Sequence, residues 1–111
     1  MKQIAHTDRE KDIAEVVDAI KTYNPDKIIL FGSAATGKMK KYSDVDLLVI
    51  KDTDEPYWSR QLRVTNLYRG WTPTDIFVLT PDELNQAIAE NRFFITEEIL
   101  KKGKVVYEKR H

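Results

Sequence analysis

The sequence predicts an α/β chain of the α+β kind, a small mixed sheet covered by helices. Short apolar runs rich in β-branched residues recur at 27–31, 44–50 and 74–79, helix-period stripes or capping boxes stand between them, and Gly or Pro marks most junctions. At 111 residues there is room for one domain, 1–111, and 41% hydrophobic residues suffice for a core.

The first helix is expected over 8–23. Thr7-Asp8-Arg9-Glu10 reads as a capping box, Ile13, Val16, Val17 and Ile20 form one stripe, and Asn24-Pro25 stops the helix. Lys27 to Phe31 is a buried strand ending at Gly32, after which Ser33 to Lys38 forms a tight turn with at most one helical turn. A basic loop with Lys38, Lys40 and Lys41 leads to the second strand, 44–50, which alternates at first and then becomes wholly apolar.

The second helix is expected over 57–69 with Gly70 as its C-terminal cap and Trp58, Leu62 and Thr65 or Tyr68 on one side. Tyr57, Trp58, Tyr68 and Trp71 are expected to be mostly core or half-buried packing, with partner contact by Trp58 and Trp71 the lesser reading. Thr74 to Leu79 is a third strand with Asp75, Phe77 and Leu79 on one face and Ile76 and Val78 on the other. Thr80-Pro81-Asp82-Glu83 is a second capping box with Pro at the first helical position. Phe94 to Leu100 is helical, either separately or after a kink near Asn91, Gly103 ends it, and Lys104 to Glu108 adds an edge strand.

Charge excludes some function classes. The 18 basic and 18 acidic residues cancel, whereas a dedicated nucleic-acid binder or a polybasic membrane module carries a basic surplus. The lack of Cys removes disulfides, thiolate catalysis and Cys-ligated metals, and the lack of a leader or a spanning apolar run leads to the expectation of a soluble, cytoplasmic protein. His6 and His111 have no partner at ligand spacing and receive no role.

Three features converge on chemistry: Gly32-Ser33 after a strand, Asp44 and Asp46 at the start of the next, and Asp75 on the third. Residues i and i+2 of a strand share a face, so Asp44 and Asp46 point the same way and repel unless a cation separates them. Hard divalent cations such as Mg²⁺ take carboxylates together with substrate phosphates, and a third carboxylate, for which Asp75 is the candidate, would complete a two-metal cluster. Gly32 allows close backbone approach to an anion, and Ser33 offers a hydroxyl and an amide. Gly32 with Gly37-Lys38 nearly satisfies the P-loop pattern, but Met39 stands where the magnesium-binding hydroxyl is required.

Gly32-Ser33-Ala34-Ala35-Thr36-Gly37 followed by Ser43-Asp44-Val45-Asp46-Leu47-Leu48-Val49 resembles the signature of the polymerase-β-type nucleotidyltransferases, in particular the minimal nucleotidyltransferases. The likeness runs over nearly the whole chain. It implies a nucleotidyltransferase fold that binds a nucleoside triphosphate, with ATP the expected one, and two Mg²⁺ ions. By the same resemblance Ser33 would hold the β- and γ-phosphates, with Gly32 and Lys38 beside it, and Asp44 and Asp46 would ligate both metals. Asp75 would ligate the catalytic metal and help deprotonate an acceptor hydroxyl.

Stand-alone members resemble antitoxins paired with a HEPN-domain ribonuclease toxin, which implies AMP transfer to such a protein partner in a toxin–antitoxin system. Thr36 departs from the family, which commonly has Arg there; Lys38, Lys40 or Lys41 would have to supply the charge, without the planar fork of Arg. Two other readings remain: an inert module that neutralises a HEPN partner by association, and transfer to a small hydroxylated molecule. The latter normally needs an added acceptor-binding domain, or a site between subunits of a homodimer.

Overall fold

The computed structural model describes residues 6–38 and 43–110, with side chains from residue 9 onward in the first helix. Helix α1, His6–Lys21, is followed by strand β1, Lys27–Phe31, the short helix α2, Ser33–Thr36, and strand β2, Val45–Ile50. Helix α3 spans Tyr57–Thr65, strand β3 Thr74–Leu79 and helix α4 Pro81–Ala89. A π-helical segment, Phe94–Lys101, precedes strand β4, Lys104–Glu108. The four strands form one sheet in the order β3-β2-β1-β4, with β1 antiparallel to β2 and β4 and with β2 and β3 parallel. The expected mixed sheet is therefore present.

Strand alternation divides the core into two faces. Ile28, Leu30, Val45, Leu47, Val49, Ile76 and Val78 face α1 and α3, where Val16, Val17, Ile20 and Val64 are buried. Ile29, Phe31, Leu48, Ile50, Phe77 and Leu79 face α4 and the π-helical segment, which contribute Leu84, Ile95 and Ile99. Since residues two apart share a face, Asp46 lies with Leu48, and Asp75 with Phe77, on the second face.

Several boundaries move for identifiable reasons. The helix already includes His6, so Thr7 lies inside it and does not cap it. Its other end comes at Lys21 because Asn24 turns left-handed at φ 60° and three 3₁₀-type bonds close the last turn. Asp44 falls just outside β2.

Helix α3 stops at Thr65, four residues short of the expected end, with Asn66 in the capping position. The side chains of Thr65 and Asn66 bond back to the Leu62 carbonyl and compete with further helix. Gly70 is therefore not the cap: a Cβ there would fall 2.1 Å from the Tyr68 hydroxyl oxygen, which accepts from the Thr72 amide. The expected apolar side of α3 is also wrong. Arg60 and Val64 face inward, while Trp58 and Leu62 are exposed and Trp71 is fully so. Gln61 is drawn to the outer edge of β3, donating to the Ile76 carbonyl and accepting from the Val78 amide. Two unsatisfied strand groups thus decide the roll of the helix, not its aromatics.

The second capping box forms as read: the Thr80 hydroxyl accepts from the Glu83 amide and the Glu83 carboxylate accepts from the Thr80 amide. The helical region breaks at Asn91, φ 54°, and resumes as the separate π-helical segment. No helix among the described residues is long and apolar enough to cross a membrane.

Candidate active site

The site lies where β1 ends and β2 and β3 begin. Antiparallel pairing places Asp46 opposite Phe31, and parallel pairing places it beside Asp75. Neighbouring strands run about 4.8 Å apart, so these two acidic residues are adjacent, and Asp44, just before β2, is near enough for its charge to act on Asp46. Beneath them Phe31, Phe77 and Phe94 pack as a triad with ring centroids 5.7–6.2 Å apart. The acids thus form the polar rim of an aromatic floor.

The electrostatic consequence is concentrated on Asp46. Its carboxyl is pushed up to about 6 by burial first, then by the negative charges of Asp75 and Asp44. Both effects disfavour the ionised form, so this position attracts either a proton or a cation. Asp44 and Asp75 are exposed.

Gly32 stands against this group. Its φ of +74° is strained for any other residue, and a Cβ there would fall 2.2 Å from Asp46 Oδ2. Ser33 and the short α2 follow, closed by Gly37 in the left-handed conformation. Thr36 directs its hydroxyl back to the carbonyls of Gly32 and Ser33, serving the turn itself. Lys38 is exposed, and its amide donates to the Ser33 carbonyl. Lys40 and Lys41 lie outside the described residues.

The fold therefore brings together Gly32, Ser33, Asp44, Asp46 and Asp75. Among the described residues no three acidic, imidazole or thiol groups close to metal-coordinating spacing. The donor set still fits Mg²⁺, which binds through one or two carboxylates, keeps several waters and takes its remaining ligands from substrate phosphate. Everything acting on Asp46 raises its proton affinity, which is the imbalance that a divalent cation corrects. A separate cavity of about 300 Å³, lined by Tyr57, Leu79, Glu83 and Arg92 among others, sits toward the far end of β3, away from these acids.

One contributor has only a faint sequence signal. Arg9 precedes Ile13 by four residues, which continues the buried stripe of α1 with a charge. Its Nη2 donates to the Ser43 carbonyl and its Nη1 to Asp12 Oδ2.

Acids that need a cation, set across from a turn too tight for a side chain, are the equipment of an enzyme that moves phosphate-linked groups. Residues 11–111 match the family described as "Polymerase beta, Nucleotidyltransferase", and the chain belongs to that family. A candidate protein adenylyltransferase of Methanocaldococcus jannaschii, MJ0604, is 45% identical over 51 residues, covering 43% of this chain and 51% of that relative. The chain thus matches about half of its length. The fold is shared with a candidate nucleotidyltransferase from Sulfolobus solfataricus, with a TM-score of 0.61 at 20% identity over 88% of this chain and 79% of the other. A toxin–antitoxin structure with AMP-PNP superposes less closely, with a TM-score of 0.49 at 19% identity over 88% and 74%.

Proposed function

We propose that this nucleotidyltransferase transfers AMP from ATP, with Mg²⁺, to a hydroxyl group of a protein acceptor and releases pyrophosphate. The observation that carries this reading is the register of Asp46 beside Asp75, with Gly32 packed against Asp46 and the charge of Asp44 felt there. Magnesium would supply charge neutralisation on the triphosphate and on the departing pyrophosphate.

The chain's own residues have distinct tasks. Asp44, Asp46 and Asp75 would hold the metal ions. Gly32 keeps the turn open so that Ser33 can donate to the β- and γ-phosphates, and Lys38 adds charge to the same loop. Asp75, exposed on β3, accepts the proton of the acceptor hydroxyl at a carboxylate oxygen. The acceptor oxygen then bonds to the α-phosphorus as the bond to the β-phosphate bridging oxygen breaks.

The choice of a protein acceptor is supported by the adenylyltransferase relative, and that of a HEPN-domain toxin by the family resemblance of the motif. In that setting the chain acts as a cytoplasmic antitoxin. The test is incubation of the chain with α-labelled ATP, Mg²⁺ and the HEPN-domain protein encoded beside it. Label should move to the partner and be lost in Asp46→Asn. Label transfer that survives Asp44→Asn with Asp46→Asn would overturn the mechanism. Neutralisation of the partner by that double variant without labelling would establish an inert module instead.

A further inference from the structure

We propose that Arg9 is a positioning residue for Asp44: from α1 it anchors the peptide that enters the acidic rim and thereby fixes the direction of the Asp44 carboxylate. The inference rests on the reading of Asp44 as a metal ligand.

Helix geometry places residue 9 on the face that carries Ile13, Val16, Val17 and Ile20, one turn nearer the N-terminus. An apolar residue is expected on that face. Arg9 occupies it with only 13% of its side chain exposed, which desolvates a charge that needs a compensating purpose. The guanidinium spends its two terminal nitrogens differently. Nη1 donates to Asp12 Oδ2 at 3.1 Å, one turn along the same helix, which sets the orientation of the fork. Nη2 donates to the carbonyl oxygen of Ser43, 34 residues away in sequence.

The Ser43 carbonyl lies in the same planar peptide unit as the Asp44 nitrogen. On the other side of Asp44, the Val45 amide donates to the Pro73 carbonyl at 2.9 Å. Asp44 is therefore flanked by two anchored peptide planes. Fixing both planes fixes its φ and ψ, and with them the Cα–Cβ direction. This matters because Asp44 lies outside the regular ladder, which begins at Val45, and its side chain is exposed. The Pro73 anchor also belongs to the segment that leads into β3 and Asp75, so the two bonds tie α1, Asp44 and the Asp75 strand into one frame. Lysine could reach one acceptor, but only the planar fork serves the carboxylate and the carbonyl together.

The test uses Mn²⁺ without nucleotide, titrated into the full chain and followed by the electron paramagnetic resonance of the free ion. Partners one step removed from a metal typically change its affinity about 10–100-fold. Arg9→Met should therefore weaken Mn²⁺ binding about tenfold, and Arg9→Lys should recover part of the loss. Asp12→Asn, which removes the ion pair and keeps the Ser43 bond, should bind Mn²⁺ more tightly than Arg9→Met does. Amide hydrogen exchange on the same samples should be faster at Val45 in Arg9→Met, while Val49 is unchanged.

Wild-type Mn²⁺ affinity in a folded Arg9→Met chain would overturn the proposal. So would equal losses in Arg9→Met and Asp12→Asn, since that pattern reports general helix damage. Should Arg9→Met fail to fold, Arg9→Lys decides the matter by the same two readings. Should the wild-type chain bind no Mn²⁺, the metal reading fails by itself, and unchanged Val45 exchange in Arg9→Met would then overturn the positioning role as well.

Discussion

Gly32 and Asp46 are in such close contact that a single added carbon on Gly32 would fall 2.2 Å from the Asp46 carboxylate oxygen. The turn and the acid therefore constrain one another. The space beside Asp46 exists because residue 32 has no side chain, and the left-handed φ of +74° that aims the turn is one that glycine alone adopts without strain.

Gly32→Ala should consequently lose on two counts. The backbone strain alone is worth about 1–3 kcal/mol, since φ +74° with ψ −154° is a region open essentially to glycine alone, and the clash displaces the Asp46 carboxylate or the turn. Urea unfolding should show at least that loss, and AMP transfer should fall further than stability accounts for. Gly37→Ala is the control: it shares the positive φ, but a Cβ there meets nothing within 4 Å. It should carry the strain cost alone.

The pH dependence follows from Asp46. Its carboxyl titrates near 6 in the folded chain against 3.8 for the ordinary group, so the folded state binds the proton more tightly than the unfolded state does. Stability contributed by this group is thus present at low pH, begins to fall as pH rises past 3.8, and is fully lost above about 6. Asp46→Asn should raise the melting temperature of the metal-free chain at pH 8 and flatten its change between pH 4 and 7. A wild-type chain whose Asp46-dependent stability rises over that interval would contradict the assignment.

Asp75 is exposed, so its removal should leave the fold intact. As the proposed proton acceptor, its replacement in Asp75→Asn should lower the transfer rate by roughly 10²–10⁴-fold, the usual contribution of a general base. Circular dichroism and the melting temperature should match wild type. Equal transfer by Asp75→Asn would move the proton acceptor elsewhere.

Away from the site, Arg60 is 3% exposed and donates from Nη2 to Glu83 Oε2 at 2.6 Å. Its Nε and Nη1 have no hydrogen-bond partner among the described residues. Glu83→Gln retains an oxygen to accept from the Thr80 amide while removing the charge that Arg60 faces. Breaking a buried pair costs about 3–5 kcal/mol, and the 40% exposure of Glu83 places the expected loss at or below the lower end. Arg60→Met, which removes the buried charge itself, should cost less than Glu83→Gln in urea unfolding.

Much of this was legible because it is local. The Thr80–Glu83 capping box and the facing of β3 each depend on residues within a turn of one another, and each formed as read. The motif of Asp44 and Asp46 was visible in the sequence, but β2 begins only at Val45, so strand periodicity places Asp46 and not Asp44. The burial of Arg60 in place of Trp58 was not: Gln61 is held by the backbone of β3, Arg60 by Glu83, and neither attraction leaves a trace in the hydropathy of α3. The π-helical form of 94–101 was not legible either, since the spacing of Ile95 and Ile99, which pack on the second face, suits an α-helix equally well.

The sequence by itself determined the strands and most of the helices, the motif of Gly32-Ser33 with Asp44 and Asp46, and the net charge of zero. Tertiary structure decided what those residues meet. Side-chain periodicity sets a residue's face but not its neighbour, because strand order and register are fixed by pairing between distant segments. Only the parallel alignment of β2 with β3 sets Asp75 beside Asp46, and only the packing of α1 across the sheet brings Arg9 to Ser43. The zero net charge conceals that sorting: acids gather where three strand ends converge, and the fold leaves them a charge that a bound cation would balance.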